Sequence, residues 1–118
     1  MMRYLLLIYT DEAFYEKQDP EEQAQEYQEY RVFDAMAEKR GCAPQGEALQ
    51  SISTATTVRM RENKILTTDG PFAETKEQLG GYYMLNCKDL DEAIEMATKI
   101  PGVRHGSIEI RPIMEFGM

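Results

Sequence analysis

The chain has 118 residues, 42% of them hydrophobic and 29% charged, which is the composition of one globular domain large enough to bury a core without disulfides. Its 13 basic residues stand against 21 acidic ones, a formal charge of −8. That balance opposes binding to nucleic acid or to an anionic membrane, since both demand clustered cations. The opening apolar run is too short for a signal peptide, and no segment approaches the ~20 apolar residues that span a bilayer, so a cytoplasmic protein is expected. Cys42 and Cys87 form no C-x-x-C pair and read as small apolar filler. His105 is the single histidine, so neither a His/Cys metal site nor a cofactor is expected.

In chain order, Tyr4 to Tyr9 is continuously apolar with aromatic ends, which predicts a strand covered on both faces or one at a dimer contact. Asp11 to Asp19 is polar and is expected to be a loop with a partial turn. Pro20 opens a helix that runs to Arg40. Asp19 caps it, Glu21 and Glu22 suit the positive end of its dipole, Lys39 and Arg40 suit the other end, and Gly41 stops it. Its predicted buried face is Tyr27, Tyr30, Phe33 and Ala37, flanked by Val32 and Met36, and its Gln and Glu residues read as a solvated face.

Glu47 to Ser51 reads as a short edge strand. Ala55 to Arg61 alternates Val58 and Met60 against Arg59 and Arg61, Glu62-Asn63 turns, and Lys64 to Thr68 returns, which predicts a hairpin. The dense polar stretch Asp69 to Gly81 follows, with a helical turn expected over Thr75 to Leu79. Gly81 to Cys87 is the next strand. Asp89 then starts a second helix with Glu92 three residues on, and Leu90, Ala93, Ile94, Ala97 and Ile100 form its predicted buried stripe. Pro101-Gly102 stops it, and Gly106 to Ile113 alternates as the last strand.

Two helices crossing one antiparallel sheet predict an α+β domain of ferredoxin-like type. Side chains alternate along a strand, so Tyr4 to Tyr9 cannot all face the helices. A homodimer with the two sheets face to face follows as an expectation.

The stretch Asp69-Gly-Pro-Phe-Ala-Glu-Thr-Lys-Glu-Gln-Leu-Gly-Gly-Tyr-Tyr83 resembles the signature of the DGPF-type branch of the YCII-related proteins. Tyr4 to Tyr9, Asp89 to Ala93, Ile100-Pro101 and Gly106 to Pro112 are similar to that family as well, so the resemblance covers nearly the whole chain. It implies a dimeric α/β-barrel made of two ferredoxin-like halves. It also implies association with extracytoplasmic-function sigma factors, whose genes often lie beside those of this branch. Relatives suspected of being enzymes place a histidine on the first helix and an aspartate in one pocket. Here Asp69 matches the aspartate, but the helix from Glu21 to Arg40 carries no histidine.

A polar loop between two strands is a natural place for a site. Asp69 reads either as a turn residue bonding nearby backbone or as a general base in a cleft. His105 reads as an exposed loop residue or as a catalytic group with a suitable pKa. Arg59, Phe72, Glu74, Lys76 and Tyr82 are the candidate binding residues for a small-molecule ligand. Arg59 and Arg111 could grip an anion, against surface ion pairs with Glu62 or Glu109. The leading functional expectation is a small-molecule pocket rimmed by the polar loop, with cofactor-free proton transfer or lyase-like chemistry using Asp69. The alternative is a non-enzymatic regulatory module that works with a sigma factor. A haem-handling or monooxygenase relative on the same scaffold is a third reading, and fold alone does not assign it.

Overall fold

The computed structural model describes residues 1–117. Its first element is β1 (Met2–Thr10), followed by a five-residue helix α1 (Glu12–Glu16) where the sequence predicts a loop with a partial turn. The Asp11 side chain accepts a hydrogen bond from the Ala13 N–H and starts that helix. One turn is too short to show periodicity, so only the cap could have announced it.

The long helix α2 (Pro20–Lys39) begins where Pro20 predicts. Asp19 accepts from the Glu22 N–H at 2.8 Å, and the Glu22 carboxylate accepts from the Asp19 N–H, which completes a capping box. Its inward stripe differs from expectation. Phe33 and Ala37 are buried and Tyr30 and Met36 partly so, but Tyr27 and Val32 face solvent and Glu26 is buried. Glu26, Tyr30, Phe33 and Ala37 are spaced i, i+4, i+7 and i+11, so the stripe is one helical face that ends on a carboxylate.

A short edge strand β2 (Gln45–Ala48) precedes a 3-10 turn at Ile52–Thr54. Strands β3 (Thr56–Arg61) and β4 (Lys64–Asp69) then form a separate two-stranded sheet. Their turn places Glu62 and Asn63 at φ 51° and 63°, the paired left-handed geometry that matches strand twist in a tight hairpin. The hairpin leaves the body as an arm. The radius of gyration is 16.3 Å, above the ~13.5 Å expected of a compact chain this long.

Strand β5 (Gln78–Cys87) starts directly out of the polar stretch, and no helical turn forms over Thr75 to Leu79. Thr75 donates its hydroxyl to the Glu77 carbonyl instead. Helix α3 (Leu90–Ala97) is capped by Asp89, which accepts from the Glu92 N–H at 2.9 Å. It buries Ala93, Met96 and Ala97 and leaves Leu90 and Ile94 exposed, so its inward face is rotated from the predicted stripe. A 3-10 turn at Pro101–Arg104 leads to β6 (Ser107–Pro112).

The main sheet has the order β2-β5-β1-β6, with every neighbouring pair antiparallel. Pro112 lies on the edge strand β6, where a missing N–H is tolerated. The register shifts at Ile8/Tyr9, leaving Gly80 as the extra residue of a bulge in β5. One sheet face carries Tyr4, Leu6, Ile8, Leu85 and Cys87 against Phe33, Ala37, Met96 and Ile100 of the helical layer, and this is the core. The other face carries Leu5, Leu7, Tyr82 and Met84, paired in register as Leu5 with Met84 and Leu7 with Tyr82. These four are only partly buried. The sheet of a single chain is open, and a closed barrel is not formed by it.

Candidate functional site

A cleft of about 1190 Å³ opens between α2, the edge strand β2 and the nearby ends of β1 and β5. The N-terminal half of the α2 stripe builds its wall. Phe33 and Ala37 are committed to the core, whereas Glu26 and Tyr30, two turns and one turn before Phe33, meet α1 and the turn before β6. The change from apolar to polar neighbours follows from the lengths. Twenty helical residues span about 30 Å, more than the core beneath α2 needs.

Glu26 is the one buried charged residue among those described, 8% exposed. His105 Nε2 lies 3.1 Å from Glu26 Oε1, and Arg104 Nη2 lies 3.6 Å from the same oxygen. Neither contact is an aligned hydrogen bond, so this buried oxygen accepts none. Arg104 is held elsewhere, with two hydrogen bonds to Glu29 at 2.6 and 3.0 Å. That pairing draws the Glu29 carboxyl below its usual range. The His105 ring stacks on Phe14 at 4.3 Å and meets Tyr15 edge-on at 6.1 Å. Helix α1, missed in the sequence, therefore supplies the aromatic seat of the single histidine.

Tyr30 accepts a hydrogen bond from the Gly102 N–H at 3.2 Å. A Cβ at Gly102 would lie 2.9 Å from that hydroxyl and 3.0 Å from Ile8 Cγ2, so only glycine permits the approach. Burial, and then the Glu26 charge, pushes the Tyr30 phenol up to about 12. The same causes hold the Tyr15 phenol still further above its ordinary value. Both hydroxyls stay protonated near neutrality. A buried carboxylate, an imidazole and two protonated phenols in one cluster can take, hold and return a proton.

The residues singled out from the sequence divide into two groups. Tyr82 lines the cleft, and His105 joins the cluster behind its wall. Asp69, Phe72, Glu74 and Lys76 are exposed, with Phe72 80% accessible. Arg59 donates to the Phe72 carbonyl at 3.3 Å, and Arg111 pairs with Glu109 at 3.6 Å, the ordinary surface pairing. Asp69 ends β4 opposite Thr56 and lines neither this cleft nor the smaller one of about 410 Å³ on the opposite side of α2. The polar stretch is tied to the body at its end. Gln78 accepts from the Glu12 N–H and donates to the Thr75 and Lys76 carbonyls, while Glu77 accepts from the Ser107 hydroxyl.

The sequence reading did not single out Glu26 or Tyr15. The available signal was the i, i+4, i+7, i+11 spacing that makes Glu26 the fourth member of an otherwise apolar face.

A second cluster joins Cys42, Cys87 and Glu92, whose potential ligand atoms lie within 4.8 Å of one another. Glu92 is already engaged, accepting from the Lys88 N–H at 2.8 Å and from Arg40 at 3.0 Å. Burial pushes both thiols up, Cys87 to about 12, so they are protonated, poor ligands and poor nucleophiles. They pack as free thiols in the core, as small apolar filler would.

The family model for the YCII-related domain matches residues 2–117. An uncharacterised protein of Rhizobium meliloti (strain 1021) is 32% identical over 114 residues, covering 95% of this chain and 92% of that protein. Similarity of that extent spans the whole sheet, both long helices, the arm and the cleft together. The chain belongs to the YCII-related family.

Proposed function

We propose that this protein binds a small molecule in the cleft beside α2 and moves a proton there without a cofactor. The observation that carries the reading is the Glu26–His105 pair: a buried carboxylate 3.1 Å from an imidazole, at the wall of a cleft large enough for a metabolite. Glu26 and Tyr15 line the cleft and meet the ligand. In this reading Glu26 is the general base, Tyr15 and Tyr30 donate hydrogen bonds to developing negative charge, and His105 relays the proton away. Tyr83 of β5, whose hydroxyl donates to Asp34 of α2, contributes an aromatic wall. The base role expected of Asp69 requires another chain to bring a cleft to it, because in one chain it stands in solvent.

The test is a thermal-shift screen against metabolites, then turnover of each hit. Glu26→Gln and His105→Asn are expected to lower the rate by about 10²–10⁴, the usual worth of an acid–base group, while Asp69→Asn changes little. Loss of activity in Asp69→Asn with normal activity in Glu26→Gln would move the chemistry to the arm.

Two structural statements accompany the proposal. The chain is one ferredoxin-like half of a dimeric α/β-barrel, in which the partly covered face with Leu5, Leu7, Tyr82 and Met84 packs on its copy. Support comes from the antiparallel β2-β5-β1-β6 order and from the apolar character of that face. On this basis the wild type elutes at twice the mass of one chain, and Leu5→Glu elutes as one chain. Elution of the wild type as a single chain at micromolar concentration would remove the dimer. The protein works in the cytoplasm, where its free thiols Cys42 and Cys87 persist.

A second reading treats the protein as a regulatory module that meets an extracytoplasmic-function sigma factor. The arm favours it, since Val58, Met60, Ile65 and Phe72 are exposed there and the chain is acidic enough to suit a basic partner. Co-purification with a cognate sigma factor at fixed stoichiometry supports this reading. Failure of purified components to associate removes it.

A further inference from the structure

We propose that the cleft beside α2 takes a planar aromatic ligand, a flat fused ring system in preference to a puckered or flexible one. The inference rests on the reading of this cleft as a small-molecule site and adds the shape and chemical class of its ligand. Four of the chain's seven tyrosines meet at the cleft: Tyr15 of α1, Tyr27 and Tyr30 of α2, and Tyr83 of β5. They come from three elements far apart in sequence, so the fold gathers these rings and local composition does not.

Two of the rings are fixed through their hydroxyls. Tyr83 donates to Asp34, and its ring packs on Phe33 with the centroids 4.9 Å apart. Tyr30 accepts from the Gly102 N–H. Rings held at both ends are ordered before a ligand arrives, so binding does not have to order them. Tyr27 lies on the same face of α2 as Gln23, Asp34 and Glu38, all of which line the cleft, and it is 67% exposed. Its ring is free to meet a ligand.

The floor opposite α2 is flat. Tyr83 faces the helices, and residues paired across strands, or two apart on one strand, share a face of the sheet. Gly46 pairs with Tyr83 and Ala48 pairs with Gly81, so Gly46, Ala48 and Gly81 all face the cleft. The sheet therefore meets α2 here with bare backbone and one methyl group, and a cavity opens where larger side chains would have packed. A Cβ at Gly46 would lie 3.0 Å from Tyr83 Cδ1, so the edge of that ring rests against glycine backbone. A flat ring can lie on this floor and still meet the tyrosines by edge or face, the arrangements that aromatic pairs prefer. A puckered ring of the same size carries hydrogens above and below its mean plane and gives up part of that contact.

The experiment compares β-naphthol with decahydro-β-naphthol, one carbon skeleton and one hydroxyl in flat and puckered form. Each is titrated into the full-length protein at pH 7 and followed by amide chemical-shift changes. The flat probe is expected to bind about tenfold more tightly, with shifts at α2, Gly46 and Gly81. Ala48→Leu raises a branched side chain from the floor and should weaken β-naphthol by about tenfold. Tyr27→Leu keeps apolar bulk but removes a ring, and should cut the preference for the flat probe by about threefold. Neither Ala48 nor Tyr27 is buried, so both variants should fold as the wild type does. Binding of the decahydro probe as tightly as β-naphthol overturns the aromatic class and leaves the small-molecule site standing. Unchanged β-naphthol affinity in both variants does the same. If neither probe perturbs the cleft at millimolar concentration, the aromatic ligand is overturned, and the small-molecule reading falls with it only when the metabolite screen is also empty.

Discussion

The cleft beside α2 and the arm of β3 and β4 are both rich in polar side chains, and they differ in what surrounds them. Around Glu26, three separate segments converge: α2, α1 with its aromatic rings, and the turn that carries Gly102 and His105. Around Asp69 and Phe72 there is mostly solvent, and the arm is fixed only at its root. There the Gly70 N–H donates to the Ala55 carbonyl at 2.7 Å and Thr57 donates its hydroxyl to the Gly70 carbonyl at 2.8 Å. Convergence of elements distant in sequence buries a carboxylate and shifts two phenols. A hairpin, whose residues meet only their neighbours in the chain, does neither. Local density of charged residues in sequence is thus a poor guide to electrostatic strain, which arises where distant segments meet.

The largest effect that tests this contrast is on stability. Leu85 is fully buried between the sheet and the helices, so Leu85→Ala removes packing on every side and is expected to cost about 2–5 kcal/mol. Ile65, on the arm, is 68% exposed, and Ile65→Ala should stay within about 0.5 kcal/mol. Urea denaturation of both variants measures the pair. Equal losses would mean that the arm is as much a part of the packed domain as the sheet.

Alkaline pH should produce the next effect, and it acts on the body alone. Burial raises the folded-state pKa of Cys42 and Cys87 above the usual thiol value and that of Tyr15, Tyr30 and Tyr83 above the usual phenol value. For a raised pKa, the unfolded chain loses its proton first. The stabilising contribution is then complete below the unfolded pKa, near 8.5 for thiols and 10 for phenols, and is lost as pH rises toward the folded value. Stability should fall from about pH 9, and more steeply above about pH 10 as the phenols join. Cys87→Ala should delay the onset. A thiol reagent at pH 8 should react with neither cysteine until the protein unfolds, and rapid modification in the native state would contradict the burial argument.

How far the sequence reveals these two regions follows from the same physics. The arm was legible almost residue by residue, because alternation and the Glu62-Asn63 turn are local signals. So were both helix starts, where Asp19 and Asp89 cap as their spacing implies. The inward faces of the helices were less legible. Val32, Leu90 and Ile94 are apolar yet exposed, and Glu26 is charged yet buried, because rotation about a helix axis is set by what it packs against. The cluster around Glu26 could not be read at all from one segment, since its members are Tyr15, Glu26, Tyr30 and His105, drawn from the length of the chain. His105 stands out in the sequence for its chemistry, and its partner emerges only from the fold.

A smaller effect sharpens the comparison by loosening α2 without touching the cleft. Asp19→Ala removes the cap that accepts the Glu22 N–H and should cost about 1 kcal/mol. Amide exchange is expected to quicken in the first turns of α2 and to remain unchanged in β3 and β4. If ligand affinity also falls, the N-terminal half of α2 needs its cap to hold Glu26 in place. Unchanged affinity would mean that the contacts of Tyr30 and His105 suffice.

The smallest expected effect belongs to the arm. Met60 is 61% exposed and stands opposite Ile65 on the same hairpin face. A two-stranded hairpin is marginal by itself in water, so its stability comes from the cross-strand pairs and from its root. Met60→Lys removes one such pair and adds a charge in solvent, and should shift global stability by no more than about 0.5 kcal/mol. It should leave the elution volume of the wild type unchanged, because the proposed dimer forms through the sheet face with Leu5 and Leu7. Dissociation in Met60→Lys would show instead that the arm packs on a second copy. The contrast between a buried cleft and a solvated arm would then hold for one chain only, and Asp69 would have neighbours that a single chain does not provide.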